Sequence, residues 1–126
     1  MKKDVITRLT KNFEEAAQKE RGVEYWMARD IQELLGYEEW RNFCRVIDKA
    51  KTACQNSGQS LADHFVALNK MIGLGKGGQR EIPDIMLSRY ACYLIAQNGD
   101  PHKESIAFAQ TYFALQEPIF RILAKT

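Results

Sequence analysis

Residues 89–97, RYACYLIAQ, are the segment that most limits what this chain can become. Counted from Leu87, the residues Tyr90, Ala91, Leu94 and Ile95 recur at helical spacing, and Cys92, Tyr93 and Ala96 make much of the remaining circumference apolar. Arg89 and Gln97 are the main polar interruptions. A helix apolar on most sides has to be enclosed, so the segment predicts a central helix with the rest of the chain packed around it. Its end is spelled out too. Asn98-Gly99 supplies a C-terminal stop, Asp100 an acceptor for the first free amides of a following helix, and Pro101 a first helical residue that needs no N–H donor. Ser88, Arg89, Tyr90, Asn98, Gly99, Asp100 and Pro101 are therefore read as an architectural motif, a helix-stop-helix corner.

What surrounds such a helix must come from 126 residues that are 45% hydrophobic and 27% charged, enough for one core and hardly for two. Residues 5–20 place Ile6, Leu9, Phe13 and Ala17 on one helical face, closed by Gly22. VEYWMA (23–28) favours a strand, and RDIQELLGY then gives a short helix with Gly36 as its left-handed cap. From Glu38 to Gln55, Trp40, Phe43, Ile47, Ala50 and Cys54 form a helical seam that stops at Asn56-Ser57-Gly58. LADHFVALNKMI (61–72) reads as a short helix running into a strand. GLGKGGQREIPDI reads as a hairpin with a primed turn at Gly77-Gly78, and Pro83 as the mark of an edge strand. A last helix from His102 to Gln116 turns Ile106, Ala109, Tyr112 and Phe113 inward. The expected fold class is α+β, a predominantly helical single domain with a small antiparallel sheet built from residues 23–28 and the 70–86 hairpin. The N-terminal helix (1–22) belongs to the same domain as residues 23–116, with 117–126 a divergent C-terminal segment.

Little in the composition points to catalysis. Cys44, Cys54 and Cys92 are odd in number, form no CxxC pair and follow no signal peptide, so they read as reduced thiols in a cytoplasmic protein. The longest apolar run is far short of a membrane span. His64 and His102 lack ligand spacing, and GLGKGG lacks the Gly-Lys-Ser/Thr ending of a phosphate-binding loop and reads as a hairpin tip. Asp30, Glu33, Glu38 and Glu39 fall at helix starts and on polar faces, where carboxylates are ordinary. No catalytic residue, metal or cofactor is expected, and no membrane partner.

The distribution of cations says more than the net charge of +2. Arg41, Arg45 and Lys49 fall at i, i+4 and i+8, one ridge beside the Trp40/Phe43/Ile47 seam, with Lys51 nearby and Asp48 opposing. A short helix and a turn precede them, the layout of a helix-turn-helix whose second helix offers cations to phosphates. Asn42 adds a base-reading candidate and Lys76 a loop cation. The competing reading is a solvated helix face.

These same residues carry a resemblance. YWMARDIQELLGYEEWRNFCRVIDKAKTACQNSG, the DHF at 63–65 and DIMLSRYACYLIAQNGDPHKESIAFAQTYFALQ resemble the bacterial DNA-damage-inducible protein D family from about Phe13 to Gln116, and ARDIQELLGY is similar to the BRO-N domain of phage antirepressors. The resemblance implies a nonenzymatic role in the SOS response, modulating the recombinase filament on single-stranded DNA. The implied partners are that filament and single- or double-stranded DNA, with self-association left open. An antirepressor-type or DNA-binding regulatory module is the alternative. Glu117-Pro118 departs from the family, where the last helix runs on through Thr-Arg-Arg into a charged C-terminal half. The chain thus resembles the N-terminal domain alone, with Ile119, Phe120, Ile122 and Leu123 expected to pack back on the core.

Overall fold

A computed structural model describes residues 1–116, and the expectations for residues 117–126 lie outside that range. Over the described residues five α-helices pack with one four-stranded antiparallel sheet. In chain order these are α1 (Lys3–Ala16), β1 (Gln18–Glu20), β2 (Val23–Met27), α2 (Ala28–Leu34), α3 (Trp40–Asn56), β3 (Phe65–Gly73), β4 (Gln79–Leu87), α4 (Arg89–Gln97) and α5 (Glu104–Gln116), and the strands lie in the order β1-β2-β4-β3. The α+β class with its small sheet is as the sequence predicts.

The apolar segment is the central helix. Ala91, Cys92, Ile95 and Ala96 are buried, and α4 packs against α3, α5, β2 and β4. The Ser88 hydroxyl caps it, accepting from the Ala91 N–H at 3.0 Å. One continuous core then joins Phe13 of α1, Trp26 of β2, Ile31 of α2, Phe43 and Ile47 of α3, and Phe113 of α5. Within it Trp26 meets Phe113 edge-on at 5.2 Å and donates its indole N–H to the Phe13 carbonyl at 3.1 Å, so its polar handle is satisfied in the interior. Gly36, at φ +82°, takes the left-handed conformation that ends α2, as its sequence position implies.

Several local expectations are corrected. The first helix stops at Ala16, and Gln18–Glu20 pairs instead with Val23–Tyr25 across Arg21-Gly22, both at positive φ. Ile6 is 42% exposed and does not face the core. Residues 65–72 are strand, preceded only by a 3-10 turn over Leu61–Asp63. The apolar run Phe65-Val66-Ala67-Leu68 fits either period, and pairing with β4 over nine rungs decides it. The hairpin turn places Lys76 and Gly77, and not Gly77-Gly78, at positive φ. Pro83 does not put β4 at the sheet's edge. β4 lies between β2 and β3, but β2 pairs with it only at Leu87 and Met86, so its flank is open at Pro83. The Pro83 carbonyl is turned to that flank, accepting from Arg29 Nε at 2.8 Å, and no β3 ladder bond is lost to the missing N–H.

The corner after α4 is also built differently from its sequence signature. Pro101 is not the first residue of a helix. Asp100-Pro101-His102-Lys103 is a turn, closed by Lys103 N–H to the Asp100 carbonyl at 3.1 Å, and α5 starts at Glu104. The Asp100 carboxylate accepts the His102 amide at 2.9 Å inside that turn. Asn98 ends α4 by donating its side-chain amide to the Leu94 carbonyl at 2.8 Å. Gly99 is needed for space and not for a positive φ: a Cβ there would stand 2.8 Å from Ile106 Cγ2 and 3.3 Å from Tyr37 Oη. Gly99→Ala is therefore expected to destabilise the domain by about 1–3 kcal/mol through overpacking. Gly75→Ala, where nothing lies within 4 Å, leaves the urea midpoint nearly unchanged and serves as the control.

Candidate nucleic-acid interface

The surface of α3 follows from its seam. Phe43, Ile47, Ala50 and Cys54 are buried, which turns the opposite side of the same cylinder to solvent. Arg41, Arg45 and Lys49 are all exposed on that side and span about 80° of the helix circumference, with exposed Asn42 beside Lys49. Arg41 pairs with Glu39 at 3.5 Å across open solvent, a contact too well hydrated to withhold the cation from a phosphate. Exposed Asp48 is the acid within the ridge. Lys51 does not join it. It lies about 80° from Arg41 on the other flank, half-buried, where with Arg29 it acts on the Cys44 thiol. Lys76 is also apart, at the tip of the β3–β4 hairpin.

What holds the ridge in place is not evident from the sequence. Asp84 of β4 is buried, and its Oδ1 accepts the N–H groups of Arg29 at 3.1 Å and of Ile85 at 2.8 Å. α2 has no side-chain cap of its own, so a carboxylate from 55 residues away caps it. The Arg29 guanidinium stacks on the Trp40 ring at 4.1 Å, clasping α2 to the first residue of α3. Neither Asp84 nor Arg29 carries a sequence signal, because their meeting depends on β4 reaching the start of α2.

A second clasp joins the other side of the core. Arg89 donates to Glu24 Oε1 through Nε at 2.9 Å and approaches the same oxygen through Nη2 at 2.8 Å, while its guanidinium lies 4.8 Å from the Trp26 ring centre and 5.6 Å from that of Tyr112. The first residue of α4 thus contributes a structural ion pair. Tyr90 Oη lies 3.2 Å from Ser57 Oγ at the end of α3.

Burial pushes the Cys92 thiol well above its ordinary range, and Cys54 and Cys44 are raised by the same cause. Among the described residues no group of three or more His, Cys, Asp or Glu is placed to hold a metal ion, and no helix is long and apolar enough to cross a membrane.

Residues 16–114 match the BRO family, N-terminal domain. The chain belongs to this family. This BRO N-terminal domain is also similar to DNA damage-inducible protein D of Escherichia coli (strain K12), 53% identical over 95 residues, which cover 75% of this chain and 35% of that protein. The chain therefore spans about a third of the length of that relative. No solved structure matches it.

Buried Asp84 and half-buried Asp30 make two measurable differences. Asp84→Ala leaves the Arg29 N–H without its acceptor and is expected to cost about 1–3 kcal/mol in urea unfolding. Asp30 beside it has a pKa raised from 3.8, by desolvation first and then by Asp84 and Glu33 against the opposing effect of Lys70. The folded state then holds the Asp30 proton more tightly than the unfolded chain, so stability falls as pH rises through the window that opens at 3.8. Compared across a pH series, the wild type should lose stability relative to Asp30→Asn through that window, and parallel curves would contradict the assignment.

Proposed function

We propose that this BRO N-terminal domain is a nonenzymatic regulatory module of a DNA-damage response that contacts DNA through the exposed face of α3. The observation that carries the reading is the ridge itself. Three cations sit at one-turn intervals on a helix whose other face is fixed in the core, and α2 and the Arg29–Trp40 clasp brace it. Such a ridge can meet phosphates without rearrangement, and exposed Asn42 near the start of α3 is the candidate for a base edge beside it. The damage-response part of the reading is supported by the similarity to DNA damage-inducible protein D. Modulation of a recombinase filament is a further step within the same proposal, tested by filament assembly on single-stranded DNA with and without this chain.

Changing Arg41, Arg45 and Lys49 together to Ala leaves the seam residues Phe43 and Ile47 in place, so the fold should survive. Binding to DNA across a salt series is expected to weaken, and the slope of log K against log salt to fall by about 2 to 3, roughly 0.9 for each phosphate no longer neutralised. Equal affinities and equal slopes would sink the DNA contact and leave a protein partner, as for an antirepressor, for this face.

A further inference from the structure

We propose that the β3–β4 hairpin is a second DNA-contacting element, and that the target of the domain is a duplex and not a single strand; the target assignment rests on the reading of α3 above. The hairpin is longer than the fold requires. β2 pairs with β4 only at Leu87 and Met86, yet the β3–β4 ladder runs on to Gly73 opposite Gln79. The last anchored rung joins Asn69 to Pro83, whose carbonyl takes the Arg29 bond, and four further residues at about 3.3 Å each carry the ribbon about 13 Å beyond it. Residues 69–81 are exposed, apart from half-buried Ile72. A two-stranded ribbon with so little burial contributes little to the core, and free ribbons of this kind are marginal in water.

Its chemistry is that of a phosphate ligand. Lys70, Lys76 and Arg80 stand against Glu81 over residues 69–81, and none of the three takes part in an ion pair among the described residues. Lys70 lies close enough to Asp30 to act on its carboxyl, which leaves Lys76 and Arg80 as the cations of the outer half. Lys76 occupies the turn itself at φ 68°, and Met71 and Leu74 are 51% and 47% exposed on the same arm.

The kind of nucleic acid follows from shape and from the residue types the two elements present. The major groove of a duplex admits a two-stranded ribbon or a helix. Surfaces that hold single strands offer aromatic side chains on which bases stack. Residues 69–81 contain no aromatic residue, and on α3 Phe43 is buried while half-buried Trp40 has Arg29 stacked on its ring. Both elements present cations and neither presents a stacking platform.

The test uses the whole 126-residue chain with a short fluorescent duplex and one of its single strands, read by anisotropy over a salt series. Lys76→Ala with Arg80→Ala is expected to weaken duplex binding about 10-fold or more at low salt and to lower the salt slope by about 1 to 2, with circular dichroism unchanged. The charge-conserving pair Lys76→Arg with Arg80→Lys should bind as the wild type does. Unchanged affinity and slope in the alanine pair would overturn the arm contact while leaving the α3 reading intact. An arm effect without any effect of the α3 triple change would do the reverse. Single strand bound as tightly as duplex would overturn the choice of target. Concentration-dependent self-association abolished by the alanine pair, with no DNA bound, would assign the arm to a second copy of the chain and defeat the proposal.

Discussion

The Arg89–Glu24 pair is the contact on which the rest of the domain is registered. The Arg89 side chain is only 14% exposed and opens the central helix α4. A charge in that position is tolerable only with a partner, because removing the partner leaves it desolvated and unpaired. Glu24 of β2 is that partner, and the rings of Trp26 and Tyr112 flank the guanidinium. Pairing this one cation therefore ties β2, α4 and α5 together. The Ser88 cap then sets where α4 begins, immediately after β4.

From that centre the remaining elements follow by burial, and Asp84 carries the order outward. Its carboxylate joins the sheet to the start of α2, while Arg29 on α2 reaches both the Pro83 carbonyl and the Trp40 ring. Strand, short helix and long helix are tied at one point, and the cationic face of α3 is held by contacts made entirely on its other sides. A surface supported in this way needs little ordering on binding, which favours affinity at a given number of contacts. The arm is different in kind. It is anchored at its root and exposed beyond it, whereas α3 is packed along its whole inner face.

The legible parts of the sequence are those whose period is long and whose faces differ. The seam Phe43, Ile47, Ala50 and Cys54 recurs over about three turns and announces α3, and with it the exposed positions Arg41, Asn42, Arg45 and Lys49. The apolar circumference of RYACYLIAQ announces α4 as the central helix. Where the run is short, period fails: Phe65-Val66-Ala67-Leu68 reads equally as helix, and only the nine-rung ladder with β4 makes it strand. Lys51 is close to the ridge in sequence, but on a helix its position falls on the flank toward Cys44.

The sequence by itself determined the α+β class, the central helix and the amphipathic α3, because burial of an apolar face is dictated by spacing along one segment. It also determined that Gly99 is special, though not why. Tertiary structure alone decided that Gly99 must be bare against Ile106, that Asp84 caps a helix 55 residues away, and that Arg89 finds Glu24 across 65 residues. It decided as well that β4 lies inside the sheet while its far half projects as an arm. Each of these depends on which distant segments become neighbours. A carboxylate, an arginine or a glycine carries no mark of its future partner, since hydrogen bonds, ion pairs and steric gaps act over a few ångströms of space and not along the chain.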